Sequence, residues 1–143
     1  MTATTAAPTS ATRLANTDLA ALILRVSMGL LFIAHGWMKY SVFTPAGTAG
    51  YFASIGLPPF LAYVTIAVEI LGGLMLIAGL WTRWVSVVLI PVMIGAAYFG
   101  HGSNGFFFSV EGGGWEYPAF WTVALVVQAL IGGGAYALRD ARG

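Results

Sequence analysis

Four stretches of this chain contain no Asp, Glu, Lys or Arg: Tyr40 to Val68, Ile70 to Thr82, Trp84 to Val110 and Tyr117 to Leu138. Uncharged runs of this length leave few folds open, because a water-soluble domain must scatter charge over its surface. Only 8% of the 143 residues are charged and 59% are apolar, against roughly a quarter charged in a typical soluble domain. Lipid is the solvent that suits such segments. The length allows one domain, and no shift in composition divides it.

The same composition excludes several classes of function. A net charge of +1 with no basic cluster argues against nucleic acid, whose phosphates call for clustered Lys and Arg. Cys is absent, so this chain offers no disulfide, thiolate metal site or iron–sulfur ligation. Residues 1–15, rich in Thr, Ala, Ser and Pro with Arg13 alone charged, read as a disordered tail. The first apolar segment is too long for a cleaved signal peptide and is broken by Arg25, so it is expected to persist as a helix.

The pattern predicts an all-α membrane protein over residues 16–140, a four-transmembrane-helix bundle with helices at about 19–40, 58–81, 84–100 and 117–138. Asn16, Thr17 and Asp18 offer capping oxygens to the first, Pro58 and Pro59 start the second, and Pro91 kinks the third. At about 1.5 Å per residue each reaches across a hydrocarbon core of about 30 Å, the third only just. Arg13, Arg83, Arg139 and Arg142 fall on one side of such a bundle, Lys39, Glu111 and Glu116 on the other. The positive-inside rule therefore puts both termini in the cytoplasm. Trp37, Trp81, Trp84, Trp115 and Trp121 lie near helix ends, as an aromatic belt requires. The loops 41–57 and 101–116 are too short to span and are expected at the outer interface.

Ionisable residues inside a membrane are costly and call for partners. Arg25 lies about six residues into the first helix, roughly 9 Å from its end, and Glu69 sits roughly 6 Å deeper on the antiparallel second helix. A guanidinium arm covers that difference, so Arg25 and Glu69 are expected to form a buried ion pair, structural or proton-linked. At 100° per residue His35 falls about 80° and Lys39 about 40° from Arg25, on one helical face. His101 and Glu116 reach the same outer level from the third and fourth helices. His35, Lys39, His101 and Glu116 are thus the candidate ligand group. Two histidines without conventional spacing are too few for a metal or haem site. Contact with a quinone head group or proton transfer suits imidazoles better, and the plain alternative is polar side chains gathered at the headgroup level. Gly72, Gly79 and Gly132 belong to small-residue faces for close helix packing, with Gln128 expected to hydrogen-bond between helices.

The ordered set LRVSMGLLFIAHGWMK (24–39), YFASIGLP (51–58), EILGGLMLIAGLWTR (69–83), His101 and GGGAYAL (132–138) resembles the DoxX family of small four-helix bacterial membrane proteins. The likeness covers about Leu22 to Leu138. It departs at the end, where Ala137 stands in place of a usual serine and Arg139 precedes Asp140. The resemblance implies a plasma-membrane bundle associated with respiratory or sulfur-linked redox chemistry; some relatives resemble membrane subunits of thiosulfate:quinone oxidoreductase. The leading expectation is therefore a quinone-contacting or anchoring subunit of a membrane redox assembly. By itself the chain supplies no electron carrier, so an enzymatic role calls for quinone and redox partner subunits. A proton-coupled or small-solute transporter using Glu69, and a scaffold without chemistry, are the alternatives. The surface leaves room for an oligomer.

Overall fold

In hydrocarbon an open chain can satisfy its own backbone only as a helix, and the uncharged runs fold accordingly. The computed structural model describes residues 10–139, with side chains from residue 16. Its helices are α1 (Ser10–Ser41), α2 (Pro45–Ser54), α3 (Phe60–Ala78), α4 (Thr82–Gly95) and α5 (Glu116–Ile131), and α4 runs on into a π-helical segment, Ala96–Gly100. Asn16–Ser41, Phe60–Ala78 and Thr82–Gly100 are long and apolar enough to cross a membrane. α5 is apolar but has 16 residues, about 24 Å at the helical rise and short of a full crossing.

α1 packs chiefly on α3 and α4 chiefly on α5, and the two pairs join through α3–α4 and α1–α5 contacts. α1 and α3 touch backbone to backbone. A Cβ at either Gly29 or Gly73 would stand 2.6 Å from the other's carbonyl oxygen, the close approach that small residues permit in lipid. The shared core is Met28, Phe32, Leu76, Val85, Leu89, Met93, Trp121 and Leu125. Large apolar side chains also cover the outside, among them Leu30, Leu71, Trp84, Val88 and Leu130, as expected where the surrounding solvent is lipid.

Several boundaries differ from the sequence expectations. Residues 10–15, expected in the tail, continue α1; residues 1–9, Asp140 and Arg142 lie outside the described residues. The loop after α1 contains α2, which begins with Pro45 and is capped by the Thr44 hydroxyl accepting the Gly47 N–H at 3.1 Å. The last helix stops at Ile131 rather than Leu138. Gly132 leaves helical geometry at φ 76°, ψ −163°, a region open to glycine, and residues 132–139 fold back under α3.

That returning segment needs its backbone groups satisfied, and Arg25 supplies the donors. Its guanidinium, 2% exposed, donates to the carbonyls of Leu76 (3.0 Å), Ile77, Gly133 (3.3 Å) and Tyr136 (2.7 Å). Two of these are end carbonyls of α3, which lack partners within their own helix. The amides of Leu138 and Arg139 donate to Ala78 and Gly79, and the Trp81 amide donates to Arg139. Asp18 accepts the Ala135 N–H at 2.8 Å, and the Arg139 side chain lies 5.7 Å over the Trp81 ring. Gly79 (φ 69°) makes the turn that admits this segment, since a Cβ there would meet the Ala137 Cα at 2.6 Å. Gly79 therefore serves a turn rather than a helix face.

Two expected interactions are replaced. Arg25 does not pair with Glu69, because the Gly29–Gly73 register places Arg25 beside the C-terminal end of α3. Glu69 lies level with Gly36, roughly 16 Å further along α1. Gln128 does not bridge helices either. Its Nε2 donates to the Gly132 carbonyl at 2.7 Å, which the end of α5 leaves without a helical donor. Gly72 does pack between helices, facing Leu89 of α4.

Two outcomes follow for stability in detergent. Gly73→Ala is expected to cost about 1–3 kcal/mol by forcing α1 and α3 apart, read as a lower thermal midpoint; an unchanged midpoint would contradict the backbone contact. Arg25→Met is expected to cost about 3 kcal/mol or more, since each buried carbonyl left without a donor costs about 1–3 kcal/mol. Limited proteolysis should then cut within residues 132–139, whereas wild type resists.

Candidate functional site

Polar side chains gather at the end of the bundle where α1 finishes and α3 and α5 begin. Gly36 lets α1 approach α3 there, with a Cβ position only 3.2 Å from the Glu69 Cβ. One turn on, the Lys39 ammonium donates to both Glu69 oxygens at 2.8 Å. Glu69 is 4% exposed, so its charge is taken from water and compensated by the ammonium alone among the described ion pairs. The Thr48 hydroxyl of α2 reaches the Lys39 carbonyl at 3.1 Å, tying α2 to the end of α1.

His35 stands one turn before Lys39. Its ring meets Trp121 of α5 edge-on, centroids 5.2 Å apart, and Phe32 packs on the same indole at 4.9 Å. The indole Nε1 is buried without a hydrogen-bond partner.

His101 follows the π-helical segment and is held at both nitrogens. Nδ1 lies 3.2 Å from the Gly112 carbonyl and 3.0 Å from the Gly113 carbonyl. Carbonyls only accept, so in the neutral ring Nδ1 carries the hydrogen and Nε2 is the acceptor. Nε2 receives the Tyr117 hydroxyl at 2.6 Å. Asn104 donates to the same two glycine carbonyls at 3.1 Å, so the 101–115 loop is built around them.

The structure thus brings together three of the four expected ligand candidates. His35 and Lys39 stand one turn apart on α1, His35 meets Trp121, and His101 bonds Tyr117, one turn from Trp121 on α5. Glu116 is turned away: its Oε1 accepts the Phe108 amide at 2.6 Å and so pins the 101–115 loop. Arg25 belongs to the opposite end, with the returning segment. Tyr117 and Trp121 complete the group and were missed by reasoning from charge alone. They lie four residues apart, on one face of α5, and that spacing next to a candidate histidine level was the available signal. Chemically, this end offers an ammonium, a phenol and an imidazole beside a neutralised carboxylate, backed by the buried indole of Trp121.

Residues 20–102 match the family model described as DoxX. The Bacillus subtilis (strain 168) protein named Putative oxidoreductase CatD is 43% identical over 79 residues, 55% of this chain and 58% of that one. An uncharacterized protein of Haemophilus influenzae is 33% identical over 117 residues, 80% of this chain and 84% of its own length. Inner membrane protein YqjF of Escherichia coli (strain K12) is 28% identical over 130 residues, 85% and 90% of the two chains. The likeness therefore spans less than two thirds of CatD but most of the other two relatives. No solved structure gives a significant match. With three helices fit to cross a bilayer and a family match over more than half of its length, this multi-pass membrane protein belongs to the DoxX family.

Proposed function

We propose that the chain is a plasma-membrane subunit of a redox assembly and contacts a quinone head group at the Lys39 end of the bundle. The observation that carries this reading is the convergence of the Lys39–Glu69 pair, the His35–Trp121 contact and the His101–Tyr117 hydrogen bond on one polar end. A quinone presents two carbonyl oxygens on a flat ring. In this reading Lys39 donates to one such oxygen, and His35 and Trp121 lie beside the ring. Electrons come from a partner subunit, and this chain contributes binding, orientation and charge. The oxidoreductase in the name of CatD is consistent with that setting.

The layer between the two polar ends favours a one-ended site over a solute path. Phe32, Leu76, Leu89 and Leu125, each 0% exposed, fill the interior between the Lys39 group and Arg25 without a polar side chain of their own. Ser86 and Gln128 are the buried polar side chains nearest that layer, and neither is ionisable, so a proton-coupled path through Glu69 has no second titrating group among them.

In this reading α5 is the fourth span. Its helix is short, and residues 132–139 complete the depth as backbone whose polar groups are satisfied by Arg25, Asp18 and the end of α3, a condition for non-helical chain in hydrocarbon. Arg83 and Arg139 then mark the cytoplasmic side and both termini lie there.

Wild-type protein purified in mild detergent is expected to bind a short-tailed benzoquinone with quenching of tryptophan fluorescence. Lys39→Met should weaken that binding about tenfold, the loss of roughly one charge-assisted hydrogen bond; saturable quenching that Lys39→Met leaves unchanged would rule out this site. Reporter tags on the two termini should both be protected from external reagents in intact cells. Accessibility of one tag alone would overturn the four-span arrangement.

A further inference from the structure

We infer that the Tyr117 oxygen meets the bound ligand as a hydrogen-bond acceptor, so that the site selects the reduced, hydroxyl-bearing quinol over the quinone, with His101 as the positioning residue that sets this preference. The inference rests on the quinone reading above and deepens it by assigning the redox state of the ligand.

Both contacts of His101 Nδ1 are carbonyl oxygens, those of Gly112 and Gly113 at 3.2 and 3.0 Å. The neutral imidazole has one hydrogen, and those carbonyls claim it at Nδ1. Nε2 is left with a lone pair, which takes the Tyr117 hydrogen at 2.6 Å. A phenol has a single hydrogen to give, and here it is committed. What Tyr117 still presents is its oxygen lone pairs.

His101 itself has no nitrogen left for a ligand. It stands behind Tyr117, edge-on at 5.0 Å between centroids, and the loop carbonyls hold its orientation. Asn104, donating to the same carbonyls, and Glu116, accepting the Phe108 amide, keep that loop in place. The phenol is only partly buried, one turn from Trp121. An acceptor so fixed discriminates between two ligands that differ only in hydrogens. A quinol hydroxyl donates to the Tyr117 oxygen, whereas a quinone carbonyl placed there sets lone pair against lone pair. The opposite oxygen of the ring meets the Lys39 ammonium, which serves either redox state.

The test compares the affinities of one short-tailed benzoquinone and its quinol, the latter kept reduced under anaerobic conditions, for full-length protein in detergent. Wild type is expected to favour the quinol about tenfold, the worth of one net hydrogen bond. Tyr117→Phe leaves His101 and its loop contacts in place and should bring the two affinities within about twofold by weakening quinol binding alone. His101→Phe removes the acceptor, frees the Tyr117 hydrogen and should shift the ratio toward the quinone. The ¹⁵N resonance of His101 Nε2, typical of a hydrogen-bond acceptor in free wild type, should persist with quinol bound, a readout that a merely structural histidine would not couple to Tyr117→Phe. Equal affinities in wild type, or a ratio that Tyr117→Phe leaves unchanged, overturn the assignment while the quinone site stands. Absence of binding by either redox form removes the site and this assignment together.

Discussion

Every polar group of the backbone must find a partner before this chain can lie in hydrocarbon, and the arrangement of its helices follows from where those partners come from. Helices answer the demand along their length but not at their ends. α3 ends at Ala78 and α5 at Ile131, before either uncharged run is finished. The two loose ends are brought to one place, where a single guanidinium serves carbonyls from both. Arginine suits this task because its planar fork holds several donors in fixed directions. In its described contacts Arg25 thus supplies hydrogens to main chain.

The helices were legible in the sequence because an uncharged run has few other fates in lipid. Their lengths were less so. Gly132 reads as part of a small-residue face for packing, yet glycine serves equally to leave a helix, and local sequence does not decide between the two uses. The pairing of Arg25 with Glu69 depended on depth, and depth depended on register. Gly29 against Gly73 sets that register and moves Glu69 level with Gly36, where Lys39 takes it. At the site, His35, Lys39 and His101 were found by helical angle and level. Glu116 was at the right level but is drawn to the Phe108 amide, a contact that depends on the fold of a glycine-rich loop. Tyr117 and Trp121 carry no charge, and their part emerges only once α5 is seated against α1.

The charged and hydrogen-bonded groups gather mainly at two levels, while Thr82, Ser86 and Gln128 are buried on α4 and α5. At one end an arginine, an aspartate and main-chain groups close the bundle; at the other an ion pair, two histidines and a tyrosine face an aromatic wall. Between them Met28, Phe32, Leu76, Leu89 and Leu125 are packed as a protein core. Close packing in that middle layer fixes the level of the Lys39 end relative to the Arg25 end.

The partners of Arg25 also impose an order on how the protein is made. Its carbonyl acceptors lie 51, 52, 108 and 111 residues later in the chain, so the first helix emerges from the ribosome with a guanidinium that has none of them. Until α3 arrives, that helix is poorly suited to stand alone in the bilayer, and until the last few residues are synthesised its hydrogen bonds are incomplete. The hydrogen bonds that hold the 132–139 segment to α1 and α3 are therefore late events in assembly, made by a side chain that is already in place when its acceptors are synthesised.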